Sequence, residues 1–276
     1  MAVDSQDIQN AVASAKKRLN HAASHGEKLA ADITAWQANN PIQLESSIAD
    51  DRLSWQLALV IDPAAPLDDW GFVFGDAIHD LRSTLNTLLS RIAIASGATA
   101  KEQLAVQFPT ARDASEWRNQ QRWITMLPQE VQAAIESVQP FQRPGFDGSP
   151  AENDPLAVLA SFNNQDKHHL ELSASITPAE LAHEFAVEFE EDPTGSLPPR
   201  VEINGDMTSG SMILRQDTTP DRIKTVKGNF KYSAQVVVIH ESGTNFGVTE
   251  SLAASITYVG QIVDHIVNAW ANSSQT

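Results

Sequence analysis

Groups that move protons or hold phosphate recur at helical spacing in the stretch Asp68–Ala95. At roughly 100° per residue, His79, Ser83 and Asn86 share one face, and Arg82 borders both that face and an apolar stripe. A second group, Asp166-Lys167-His168-His169, stands at the end of another apolar run. Joined, the two make a site of familiar chemistry. His79 and His168 can act as an acid–base pair, Lys167 and Arg82 can stabilise developing phosphate charge, and Asn86 can orient a histidine or the substrate. Phosphodiester cleavage without a metal needs just those group types. The candidate site residues are therefore His79, Arg82, Asn86, Asp166, Lys167 and His168.

Each group also has a plain structural account. The helix cluster can be a hydrogen-bonded network at the edge of a core. Lys and His near a helix C-terminus stabilise its last carbonyls. A partly buried Arg82, with five donors and no acceptor, calls for a carboxylate or several carbonyls, and Asp166 is the expected partner. A metal could take His79, Asp80, Asp166 and His168. Against it, adjacent helical residues project about 100° apart, so His79 and Asp80 do not easily share an ion. No bound metal or cofactor is expected.

The elements that must position these groups read clearly. In Asp68–Ala95, Phe74, Ile78, Leu81, Leu85, Leu88, Leu89 and Ile92 form a buried stripe, with Thr87 off it. Ser5–Trp36 carries Ile8, Val12, Ala15, Leu19, Ala22, Leu29, Ile33 and Trp36 along one side, and Asn39-Asn40-Pro41 ends it. Ile42–Ile48 and Leu53–Ile61 read as a hairpin through Ala49-Asp50-Asp51. Helices follow at Pro128–Val138 and Pro155–Gln165, around a loop Gln142–Asp154 rich in Pro and Gly. From Leu170 to His240 the period changes to short strands: Leu170–Ile176, Glu184–Glu190, Arg200–Ile203, Ser211–Arg215, Arg222–Lys227 and Tyr232–His240. Thr249–Ala271 returns to helix, with Thr249 as its expected cap. His240 and His265 stand alone and read as structural.

The expected class is α+β, one domain over residues 1–276. A helical bundle (1–40, 67–169 and 247–272) carries a hairpin (42–61) and an inserted antiparallel β-sheet (170–242). The chain has 276 residues, 42% of them hydrophobic, and no cysteine, which excludes disulfides, thiolate metal sites and a cysteine nucleophile. The net charge is −16, from 19 Lys+Arg against 35 Asp+Glu. So acidic a surface repels polyphosphate at long range and argues against a general nucleic-acid binder, while leaving room for RNA or a nucleotide in a local pocket. The first residues lack the basic-then-apolar order of a signal peptide and no apolar run is long enough to span a membrane, so a cytoplasmic protein is expected.

Gly75–Leu170 carries GDAIHDLRSTLNTLLSRIA, then QFP, a tryptophan, QPF, and NNQDKHHL. In that order these motifs resemble a widespread family of uncharacterised bacterial and phage proteins, with a Gly-Asp-x-x-His-x-Leu-Arg-Ser-x-Leu helix, a Phe-Pro and an Asn-x-Asp-Lys-His-Arg segment. The family has no established activity to carry over. Its helix motif often continues to a His five residues after the Arg, a pattern similar to that of HEPN domains, helical bundles that include metal-independent RNases. Thr87 stands at that position here. The literal match in this chain is Arg18-x6-His25 in the first helix, one match of a kind that chance supplies in 276 residues. The resemblance implies a HEPN-like bundle, pairing into a homodimer, with a metal-independent RNase or nucleotide-acting role in phage defence. The competing class is a non-enzymatic interaction or sensor protein whose His/Arg/Asp cluster is structural.

Overall fold

The structure is a computed structural model and describes residues 5–41, 43–143, 151–167, 174–193, 200–203, 212–218, 220–240 and 243–273. The class is α+β, helices with small antiparallel sheets. Helix α1 (Ser5–Asn39) buries Ala11, Ala15, Ala22, Leu29 and Ile33. The amides of Asn39 and Asn40 close it, donating to the carbonyls of Ala35 and Trp36, both at 2.8 Å. Hairpin β1 (Gln43–Ile48) and β2 (Ser54–Val60) follows in the expected place.

Helix α2 (Leu67–Ala95) is the core of the helical part. Phe74, Ile78, Leu81, Leu85, Leu88, Leu89 and Ile92 are all buried, as the stripe requires, and Thr87 is only half-buried. Gly97, at φ 82°, ends it. The Ala98 N–H reaches the Ala93 carbonyl and the Gly97 N–H that of Ile94, each at 3.0 Å, a double closure needing the left-handed residue that glycine supplies.

Two short helices follow that apolar periodicity does not reveal. Helix α3 (Ala100–Ala105) starts on a reciprocal cap between Thr99 and Glu102, and α4 (Ala114–Gln120) on Asp113, whose carboxylate accepts from the N–H groups of Ser115 and Glu116. Helices α5 (Gln129–Ser137) and α6 (Pro155–Lys167) lie where expected.

The strand region differs from expectation in two ways. The described parts of the expected strands Leu170–Ile176 and Glu184–Glu190 belong to one strand, β3 (Ala174–Phe189), and residues 170–173 lie outside the described residues. After β4 (Arg200–Ile203) and β5 (Met212–Asp217), Arg222–Lys227 and Tyr232–His240 likewise merge into β6 (Ile223–Ile239). β3 and β6 pair antiparallel along nearly their whole length, with a register shift at Pro178. β3 is the outer strand in the order β3-β6-β7, with β7 at Asn245–Gly247, and an edge strand tolerates a proline without losing an inner ladder bond. The second difference is that the hairpin is not separate: β2 pairs with β5 in a sheet ordered β1-β2-β5-β4.

Helix α7 (Val248–Ser273) ends the chain. It begins one residue before Thr249, whose hydroxyl meets the Glu250 carboxylate at 3.0 Å instead of capping the backbone. By its internal contacts the chain divides into two compact units. Residues 1–30, 69–173 and 239–276 make the helical unit, and 31–68 with 174–238 the sheet unit. No linker composition marks the division, because α1 runs through it without a break. In the sheet unit, Trp55, Leu57, Leu214 and Ile223 form one apolar cluster and Leu59, Ile61 and Ile176 another. The Trp55 indole N–H donates to Gln216 Oε1 at 3.0 Å. In the helical unit α1 lies close to α7: a Cβ on Gly26 would meet Ile256 Cδ1 at 3.4 Å.

Candidate functional site

The polar face of α2 does two different jobs. Arg82 and Asn86 turn toward the extended segment Phe108–Ala111, which has no strand partner of its own. Asn86 Oδ1 accepts the Phe108 N–H at 2.8 Å. Arg82 donates to the Phe108 carbonyl and, at 2.9 Å, to the Thr110 hydroxyl, with its guanidinium 5.7 Å from the Phe108 ring centroid. Gln120 takes the Thr110 N–H on its oxygen (2.7 Å) and returns a bond from its amide nitrogen to the Thr110 carbonyl (3.0 Å). The buried Gln139 accepts the Ala111 N–H at 2.9 Å. Side chains of α2 and α4, with Gln139, therefore supply the partners a neighbouring strand would give. Burial drives the Arg82 pKa down to about 10.

The partners of Arg82 among the described residues are a carbonyl and a hydroxyl, both from a segment in which no charge flags a contact. The side chains of Asp166 and Lys167, at the end of α6, lie outside the described residues, as does His168. His79 is exposed, with Ser83 Oγ 3.4 Å from its Nε2. Arg82 and Asn86 are the two proposed site residues that the described structure brings together, and they meet in a scaffold. The Gln139-Pro140-Phe141 motif joins them there: the Phe141 N–H donates to the Ala111 carbonyl at 3.3 Å, and its ring lies 6.0 Å from that of Trp117.

The adjacent residue on α2, Asp80, is where imidazoles gather. His21 Nδ1 lies 2.5 Å from Asp80 Oδ2, His25 Nε2 lies 3.9 Å from the same oxygen, and Arg18 Nη1 is 4.0 Å from Oδ1. Arg18, His21 and His25 stand at i, i+3 and i+7 on α1, one face of that helix. The Asp80 side chain is 15% exposed, His25 26% and His21 66%, so the cluster opens to solvent through His21. The two rings meet edge to face, their centroids 4.6 Å apart.

Beside the cluster a groove of about 470 Å³ runs along α2. Arg18 belongs to both, and Ser83, one turn beyond Asp80, begins the wall that Asn86, Thr87, Ser90, Arg91 and Gln103 continue. Two guanidiniums and a row of hydroxyls and amides thus line one groove of an otherwise acidic chain.

Sequence reasoning named Asp80 only as a metal ligand beside His79, and noted Arg18 and His25 only as a motif match. The signal that could have singled them out was the Arg18, His21, His25 spacing itself, one face of a helix bearing three groups of one chemistry.

Two further histidines of the helical unit are described, both apart from the Asp80 cluster. His240 packs edge to face with Phe162, ring centroids 5.2 Å apart, and His265 Nε2 meets Ser137 Oγ at 3.0 Å. A further, half-buried polar cluster joins Arg143, Asp154 and Tyr258, with Arg143 Nη2 2.8 Å from Asp154 Oδ2 and the guanidinium carbon 4.8 Å from the Tyr258 ring centroid. Burial pushes Tyr258 up to about 12 and raises Asp154.

No family model, curated protein or solved structure matches the chain. No helix among the described residues is long and apolar enough to cross a membrane.

Proposed function

We propose that the α1–α2 face of the helical unit acts on a phosphate ester, with RNA or a nucleotide as the substrate class and His21 and His25 as the acid–base groups. One observation carries the reading: two imidazoles of α1 converge on the Asp80 carboxylate beside a groove bearing Arg18 and Arg91. With Asp80 accepting the Nδ1–H of His21, the lone pair of that ring sits on Nε2, toward solvent, and its orientation is fixed. Nε2 can take a proton from a ribose hydroxyl or a water, and a protonated His25 can return one to the leaving oxygen. Arg18 and Arg91 would hold the non-bridging oxygens, and the hydroxyls of Ser83 and Ser90 the rest of the ligand.

The site asks for a small or single-stranded ligand. A chain of net charge −16 repels a long duplex, whereas a groove with two arginines can hold a nucleotide or a few linked ones. Kinship with HEPN-like bundles, a paired state and a role in phage defence belong to the same proposal. Arg18 and His25, the literal Arg-x6-His match, then take the places that Arg82 and Thr87 do not fill. Incubation of the protein with RNA oligonucleotides and with nucleotides, in the presence of a chelator, tests it. His21→Ala and His25→Ala should each slow turnover by about 10²–10⁴-fold. No turnover, or turnover that both variants keep, refutes the reading.

A second reading, a non-enzymatic interaction or sensor protein, draws on Arg82 and Asn86. Both are absorbed in holding Phe108–Thr110, as a purely structural network requires.

A further inference from the structure

We propose that His21, His25 and Asp80 form a binding site for a divalent transition-metal ion of the Zn²⁺ class. Two histidines four residues apart on a helix present their rings on one side, one turn apart, and a carboxylate from a second helix completes the set. The three donor atoms all lie within 4.8 Å of one another, and no other group of three such residues does so among the described residues.

The distances decide whether an ion fits. Zn²⁺ bound tetrahedrally at about 2.0–2.2 Å places its donors roughly 3.3 Å apart. Asp80 Oδ2 is now 2.5 Å from His21 Nδ1 and 3.9 Å from His25 Nε2. The carboxylate therefore needs to retreat from one ring by about 0.8 Å and approach the other by about 0.6 Å. A shift of that size along one direction, away from His21 and toward His25, is within reach of a small side-chain rotation. Arg18 faces the other oxygen, Oδ1, leaving Oδ2 to the imidazoles. Three protein donors leave a fourth position for water, on the side where His21 is exposed.

This site stands apart from the phosphate-ester reading and opposes it. An ion on Nδ1 of His21 leaves the ring proton on Nε2, so a loaded His21 is no longer a base. Zn²⁺ is then an inhibitor of any cleavage that His21 supports.

The test is made on the full chain, stripped by chelator, without substrate. Calorimetric titration with Zn²⁺ and absorption spectroscopy with Co²⁺ should each show one equivalent bound. His21→Ala, His25→Ala and Asp80→Asn should each weaken binding by at least about tenfold, while His79→Ala, one residue away and exposed, leaves it unchanged. Circular dichroism checks that each variant is folded. Should Asp80→Asn fail to fold, the two histidine variants suffice. Absence of stoichiometric binding, or binding that persists in both histidine variants, overturns the inference. Because binding is read without any reaction, its failure leaves the phosphate-ester proposal standing, and the reverse.

Discussion

Replacing Arg82 separates a scaffold from a substrate-binding group, and the magnitude can be worked from its contacts. Its guanidinium donates to the Phe108 carbonyl and the Thr110 hydroxyl. Hydrogen bonds from a charged donor are worth about 1.5–3 kcal/mol each, so the pair contributes about 3–6 kcal/mol. Against this, burial pushes the pKa down to about 10, which means that it costs the charged form about 3 kcal/mol. Arg82→Met keeps most of the stem and removes both the donors and that cost, a difference of about 0–3 kcal/mol. It also leaves the Phe108 carbonyl without its donor, a further loss of about 1–3 kcal/mol, so it should destabilise by at least about 1 kcal/mol. Arg82→Ala also leaves a cavity and should lose about 3–5 kcal/mol. Urea unfolding followed by circular dichroism reads both. Amide exchange adds a local readout: the Phe108 N–H, held by Asn86, should exchange faster in Arg82→Met because the segment loses its second tie. Variants within about 0.5 kcal/mol of the natural chain, with Phe108 still protected, would refute the scaffold role.

Other expectations follow from burial and backbone. Leu85→Ala, inside the α2 stripe, should cost about 2–5 kcal/mol and the half-buried Thr87→Ala well under about 1 kcal/mol, read as midpoint shifts in urea. Gly97→Ala should destabilise by about 1 kcal/mol in thermal melts, since φ 82° is strained for alanine even with open space around the new methyl. Asp154 has its pKa raised from 3.8, chiefly by burial, so the folded state holds its proton more tightly than the unfolded one. That contribution is present below 3.8 and lost as pH rises through the folded value. The natural chain should therefore gain stability relative to Asp154→Asn as pH is lowered from neutrality toward 3.8, seen in paired pH–melting profiles.

The long helices were legible because each repeats its apolar residues at i, i+3, i+4 and i+7 over many turns, and α1, α2 and α7 begin and end within a few residues of the expected places. The strands were legible one by one and not as a sheet. Pro178 and Gly228 mark turns by local chemistry, yet both sit inside long strands, where antiparallel pairing overrides the local preference. The β2–β5 ladder joins residues about 160 positions apart, as Trp55 and Gln216 are, and nothing in either segment names the other.

The α2 site was half legible, for a reason that lies in what a helix face can tell. Spacing shows that Arg82 and Asn86 are polar groups at the edge of a core, but not which backbone they meet. Their partners are a carbonyl, a hydroxyl and an N–H of Phe108–Thr110, groups that neutral residues carry without any mark in the sequence. Three of the motifs quoted for the resemblance, the Leu-Arg-Ser helix, Phe-Pro and Gln-Pro-Phe, meet at this one place. The imidazoles of α1 lie outside those motifs, on a face whose Arg18, His21, His25 spacing was visible, while the carboxylate that unites them comes from another helix. Chemistry in this chain is then best sought one residue away from Arg82's own neighbours, at Asp80, where a helix that holds its scaffold on one side offers a carboxylate to two histidines on the other.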